Sequence, residues 1–104
     1  MATLTTILST AERALGILRM LEPVLGDGSP VVGKVLEVVA KALDGARAGS
    51  KAYAALLDEL DGVVSDLESI RERGGVTGGD FRAEAAAIAA RGDNIDAILA
   101  RLKG

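Results

Sequence analysis

Apolar positions in this chain recur at steps of three and four residues along most of its length, the spacing that lines one face of an α-helix. The first run passes through Leu4, Ile7, Ala11, Ala14, Leu18, Leu21 and Leu25, with Leu8 and Leu15 widening the stripe. Glu12, Arg13, Arg19 and Glu22 fall off it. A second run passes through Val32, Val35, Val39, Ala42, Ala46, Gly49, Tyr53, Leu56, Leu60, Val63, Leu67 and Ile70, broadened by Leu36, Leu43, Leu57 and Val64. Phe81, Ala85, Ile88, Ile95, Leu99 and Leu102 mark a third face.

Two clusters rich in turn-forming residues separate the runs: Gly26-Asp27-Gly28-Ser29-Pro30 and Gly74-Gly75-Val76-Thr77-Gly78-Gly79. The pattern predicts an all-α fold, a single domain over 1–104 with helices at about 3–25, 31–73 and 78–103. Pro23 should end or kink the first helix in its last turn. Ser29 suits an N-cap and Pro30 the first position of the second helix, which Gly74 and Gly75 stop. Thr77-Gly-Gly-Asp80 resembles a capping box ahead of the third helix. Gly92-Asp93-Asn94 weakens the middle of that helix without shifting its phase.

The middle run carries the main structural expectation. As one helix it would hold about 43 residues and reach about 64 Å. A compact globule of this chain length is only about 33 Å across. Gly45, Gly49 and Ser50 are the weak point, since an interior Gly costs about 1 kcal/mol relative to Ala. A break there would give a four-helix bundle. The apolar phase crosses the cluster unshifted, which favours a continuous or merely kinked long central helix. Much of such a helix would have one neighbour within the chain, leaving its stripe to pack against a second copy or another helical protein. The interface residues on this reading are Val32, Val35, Val39, Leu56, Leu60, Val63 and Leu67.

Composition narrows the picture further. Apolar residues make up 49% of the chain, too many for a disordered segment of low hydrophobicity and high charge. Eighteen are Ala, while Tyr53 and Phe81 are the only aromatics, a balance suited to close helix–helix contact. The net charge of −3, with scattered Lys and Arg, argues against a nucleic-acid partner. The longest charge-free stretch, Met1–Ala11, is shorter than the roughly 18 residues of a membrane span. No basic face with aromatic anchors marks an interfacial membrane helix. Without Cys there is no disulfide framework. The N-terminus does not set positive charge before an apolar run. The expected location is the cytoplasm of the producing cell, or a virion released from it.

Candidate chemistry is sparse. Gly28-Ser-Pro-Val-Val-Gly33-Lys34 has the spacing of a phosphate-binding loop as far as its Lys. Val35 stands where a Mg²⁺-holding Ser or Thr is needed, and the preceding stretch reads as helix rather than strand. Asp58, Glu59, Asp61, Asp66 and Glu68 form an acidic stretch, which reads as a solvated helix face or a docking surface for a basic partner. A metal site often adds His or Cys, and the chain has neither. Arg91-Gly92-Asp93 spells an adhesion tripeptide, but within a helical period rather than a loop. Ser9, Ser50, Ser65 and Ser69 have no His to activate them. Neither catalysis nor a cofactor is expected.

The stretch Ile70-Arg-Glu-Arg-Gly-Gly-Val-Thr-Gly-Gly-Asp-Phe81, followed by a helix to Leu102, resembles small Ala-rich helical proteins of bacteriophages and prophages. The resemblance covers about a third of the chain and implies a virion-associated or accessory phage protein, without assigning any functional residue. Together these readings point to a non-enzymatic structural or assembly protein acting through helix packing. The alternative is a small monomeric regulator that binds a protein partner through its acidic face, and it requires a self-sufficient four-helix bundle. Placing a charge on the long stripe with Leu60→Asp should cost several kcal/mol and disrupt any assembly, read as a fall in melting temperature and in solution mass.

Overall fold

The computed structural model describes residues 3–25, 30–72 and 82–103. Helix α1 (Leu4–Leu25) opens on Thr3, whose Oγ1 accepts a hydrogen bond from the Thr6 N–H at 3.2 Å, satisfying one of the free donors of the first turn. Pro23 sits inside the last turn, and the helix continues past it to Leu25. Proline at that place removes one hydrogen bond to an exposed turn that water can satisfy. Pro30 is the first residue of α2 (Pro30–Arg47), as its fixed φ favours. Ser29, the Thr77–Asp80 pattern and Phe81 lie outside the described residues.

The long central helix does not form. Helix α2 ends at Arg47, a 3₁₀ turn spans Ser50–Ala52, and α3 runs Tyr53–Glu72. The chain is a bundle of four helices, completed by α4 (Arg82–Lys103), with no strand among the described residues. Gly49 makes the break, at φ 145° and ψ 170°, a backbone conformation essentially reserved for glycine. The end of α2 tightens as it approaches: the Ala48 N–H donates to the Gly45 carbonyl at 3.1 Å and the Gly49 N–H to Ala46 at 3.4 Å.

The apparent continuity of the stripe is a matter of step lengths, which do not register the break. Ala46 and Leu56 are both buried and ten residues apart, a separation that also counts as three, four and three. Between them, however, Gly49 is exposed and Tyr53 only half-buried, while Ala52, off the stripe, is buried. The longest dimension of the molecule is 44 Å, too short for a helix of about 64 Å.

Helix directions follow from which residues meet. Along α2 and α4, Val38 lies against Gly92, Lys41 pairs with Asp96, and Gly45 meets Leu99, so these helices run parallel. Between α3 and α4, Asp66 pairs with Arg91 and Glu59 with Asn94, so these run antiparallel. Five Cα steps from Leu25 to Pro30 reach at most about 18 Å, less than the roughly 27 Å length of α2, which makes α1 and α2 antiparallel. Helix α1 packs mainly on α3 and α2 mainly on α4; α3 and α4, then α1 and α2, close the ring. Helices α2 and α3 also touch across the middle, while α1 and α4 make no comparable contact.

The two parallel pairs are built alike, with equivalent residues 28 positions apart. Ile7, Ala11, Ala14 and Leu18 of α1 correspond to Val35, Val39, Ala42 and Ala46 of α2, all buried. Leu60 and Leu67 of α3 correspond to Ile88 and Ile95 of α4, also buried. The Arg13–Glu68 ion pair between α1 and α3 has its counterpart in Lys41–Asp96 between α2 and α4. The correspondence does not extend to the whole ring, since the α2–α3 contact has no equal between α1 and α4.

The core is aliphatic, and among the described residues it holds no polar or charged side chain. Glycine allows the closest approaches. A Cβ at Gly45 would lie 2.9 Å from Leu99 Cδ2, and one at Gly92 would lie 3.2 Å from Val38 Cγ2. Gly49→Ala should destabilise the bundle by about 1–3 kcal/mol. Gly16→Ala, on an exposed stretch of α1 with open space around it, should stabilise by roughly 0.5–1 kcal/mol. Urea unfolding of the two variants checks both signs.

Candidate functional site

The residues expected to form an interface fall mostly inside this chain. Val35, Leu56, Leu60, Val63 and Leu67 are fully buried, Val39 is 4% exposed, and Val32 lies half-buried at the edge of the core. The break at Gly49 folds the stripe back on itself, so that α2 and α3 bury it against α1, α4 and each other. Loss of stability in Leu60→Asp therefore follows from folding alone, whatever the chain binds.

Polar side chains clip three of the four sides of the ring. Arg13 Nη2 reaches Glu68 at 3.1 Å between α1 and α3, and Lys41 Nζ reaches Asp96 at 2.8 Å between α2 and α4. On the α3/α4 side, Arg91 lies across Gly62. Its Nε donates to Asp66 at 2.9 Å and its Nη1 approaches Glu59 at 3.9 Å, while Asn94 donates to Glu59 at 3.2 Å. Glu59 and Asp66 stand one turn before and one turn after Gly62, so the missing side chain seats the guanidinium between two carboxylates. The pair with Asp96, chiefly through its hydrogen bond, raises the Lys41 pKa above its ordinary 10.5. A raised folded-state pKa means this contribution is complete below the unfolded value and is lost as pH climbs through the folded one.

These contacts alter the reading of two motifs. Glu59, Asp66 and Glu68 of the acidic stretch are taken up in ion pairs, leaving Asp58 and Asp61 exposed. The Arg91-Gly92-Asp93 tripeptide lies within α4, with Arg91 paired and Gly92 buried. Gly33 and Lys34 are on helix α2, not on a phosphate-cradling loop, and Lys34 faces Glu37 at 3.8 Å. Gly28 and Ser29 lie outside the described residues. No group of three or more potential metal ligands occurs among the described residues. No helix among them is long and apolar enough to cross a membrane.

The fourth side, between α1 and α2, differs in kind. No ion pair between described residues joins these helices. At about 100° per residue, Leu4, Leu8 and Leu15 share a strip within about 40° on the flank of α1 away from Arg13. Val32, Leu36 and Leu43 share an equally narrow strip on the flank of α2 away from Lys41. The two strips meet along the α1/α2 junction and are equivalent under the 28-residue relation. Leu4 and Leu8 are each 44% exposed and Leu36 50%, while Leu15, Val32 and Leu43 are half-buried against the core beneath. The sequence shows these leucines as positions that broaden a stripe; which flank has no neighbour is set by the packing order.

An open cleft of about 420 Å³ lies at one end of the bundle, lined by Ala48, Gly49, Ser50, Lys51, Leu99 and Leu102. No protein-family model, curated protein or solved structure matches the chain.

The Arg91 seat makes a test with a change of sign. Gly62→Ala in the native chain drives the guanidinium off its carboxylates and should be neutral or destabilising. In an Arg91→Ala background the same substitution has only its helix propensity to express and should stabilise by about 1 kcal/mol. A double-mutant cycle in denaturant would show no coupling if Arg91 did not occupy this seat.

Proposed function

We propose that this protein is a non-enzymatic packing module whose working surface is the apolar seam between α1 and α2. The observation that carries the reading is the contrast between that seam and the rest of the ring. Three interhelix junctions carry ion pairs, whereas the fourth presents Leu4, Leu8 and Leu36 to solvent. Exposed leucines scattered singly are ordinary on a monomer, but leucines collected along one junction mark a contact surface. Resemblance of the 70–81 stretch to phage proteins supports assembly of a bacteriophage particle as the setting, with the chain acting as a structural component or accessory.

The second reading, a monomeric regulator docking through an acidic face, gains from the closed four-helix bundle it requires. It loses because Arg13 and Arg91 already engage Glu68, Glu59 and Asp66. A photo-cross-linking residue at Leu8 or Leu36 should form one dominant protein adduct in the cells that make the chain. The same residue at Asp61 should form none. Adducts at Asp61 alone would replace the seam with the acidic face.

A further inference from the structure

Building on the reading of the α1/α2 seam as a contact surface, we infer that its occupant is a second copy of this chain, giving a two-fold dimer with α1 and α2 of each copy at its centre. Three features select that occupant. The first is charge. Glu12, Arg19 and Glu22 border the seam on α1, and Arg47 borders it on α2; all four are exposed and none makes an ion pair with a described residue. The α1 border is thus net acidic and the α2 border basic, so α1 of one copy and α2 of another can neutralise each other. A partner surface of one strong sign would meet like charge along one of the two borders.

The second is extent. The outer face of α1 and α2, about 30 Å long on average and two helix diameters wide, covers on the order of 600 Å² in projection. That approaches the roughly 800 Å² each partner contributes to a standard interface. The third is symmetry. Leu4, Leu8 and Leu15 repeat the spacing of Val32, Leu36 and Leu43, so α1 and α2 offer equivalent apolar strips. An isologous contact needs a surface complementary to itself, and two equivalent strips allow α1 of one copy to lie on α2 of the other.

Light scattering behind size exclusion, over a dilution series from millimolar to micromolar chain, reads the association directly. The expected result is a doubling of the 10.6 kDa chain mass that falls away on dilution. Leu8→Glu combined with Leu36→Glu should abolish the doubled mass while leaving the helical circular-dichroism spectrum unchanged. A second measurement leaves the leucines intact. Ala40→Cys, on the exposed side of α2, and Ala86→Cys, on α4, each introduce a sole thiol for an environment-sensitive fluorophore. The label at position 40 should shift to the blue as concentration rises, and the label at 86 should not.

A wild-type chain that keeps its single-chain mass at millimolar concentration overturns the inference, as does a dimer that shifts the label at 86 instead. If the chain is monomeric and the Leu36 cross-link joins a different protein in cells, self-association fails while the seam remains a contact surface. If neither self-association nor any seam adduct is found, both readings fall.

Discussion

The reversal at Gly49 is the constraint on which the rest of the molecule depends. Helices on either side bear the same kind of apolar stripe, and only a backbone that leaves the helical region between them lets those stripes face one another. A φ of 145° is cheap for a residue without a Cβ and costly for any other. Once the chain turns there, α2 lies beside α1 and α4, α3 lies beside α1 and α4, and a single aliphatic core replaces what would have been an exposed ridge. The glycines at 45 and 92 then let α4 settle closely onto α2.

Much of this was legible in the sequence because burial on a helix is periodic. The apolar runs mark core-facing positions on all four helices, with Ile7, Val35, Leu60, Ile88 and Ile95 as buried as their places imply, while Leu4, Gly49 and Leu102 of the same runs are exposed. The break itself was visible as a concentration of small residues but not decidable. A connection whose length fits steps of three, four and three leaves the pattern intact, so its continuity across Ala46 and Leu56 carries no information about continuity of the helix. Sequence also leaves ring order open. Arg13 meeting Glu68, or Arg91 lying over Gly62, depends on which helices become neighbours and in which register. For the same reason Leu8 and Leu15 read alike from the pattern, while packing leaves Leu8 more open than Leu15.

The 28-residue correspondence explains why the polar contacts are distributed as they are. Equivalent helix pairs carry equivalent ion pairs, so Arg13–Glu68 and Lys41–Asp96 clip opposite sides of the bundle. The chain treats the remaining two sides differently. Between α3 and α4 it places Arg91 and Asn94 among carboxylates, whereas between α1 and α2 it places leucine. The polar α3/α4 side thus lies opposite the leucine-lined α1/α2 side.

Tyr53 opens α3 immediately after the 3₁₀ turn, half-buried beside the reversal. The chain has no Trp and no other Tyr. Its near-ultraviolet absorbance and intrinsic emission therefore arise almost wholly from one ring at one elbow. In the near ultraviolet the molecule is dark except at the place where its topology is decided, so that signal comes from the elbow.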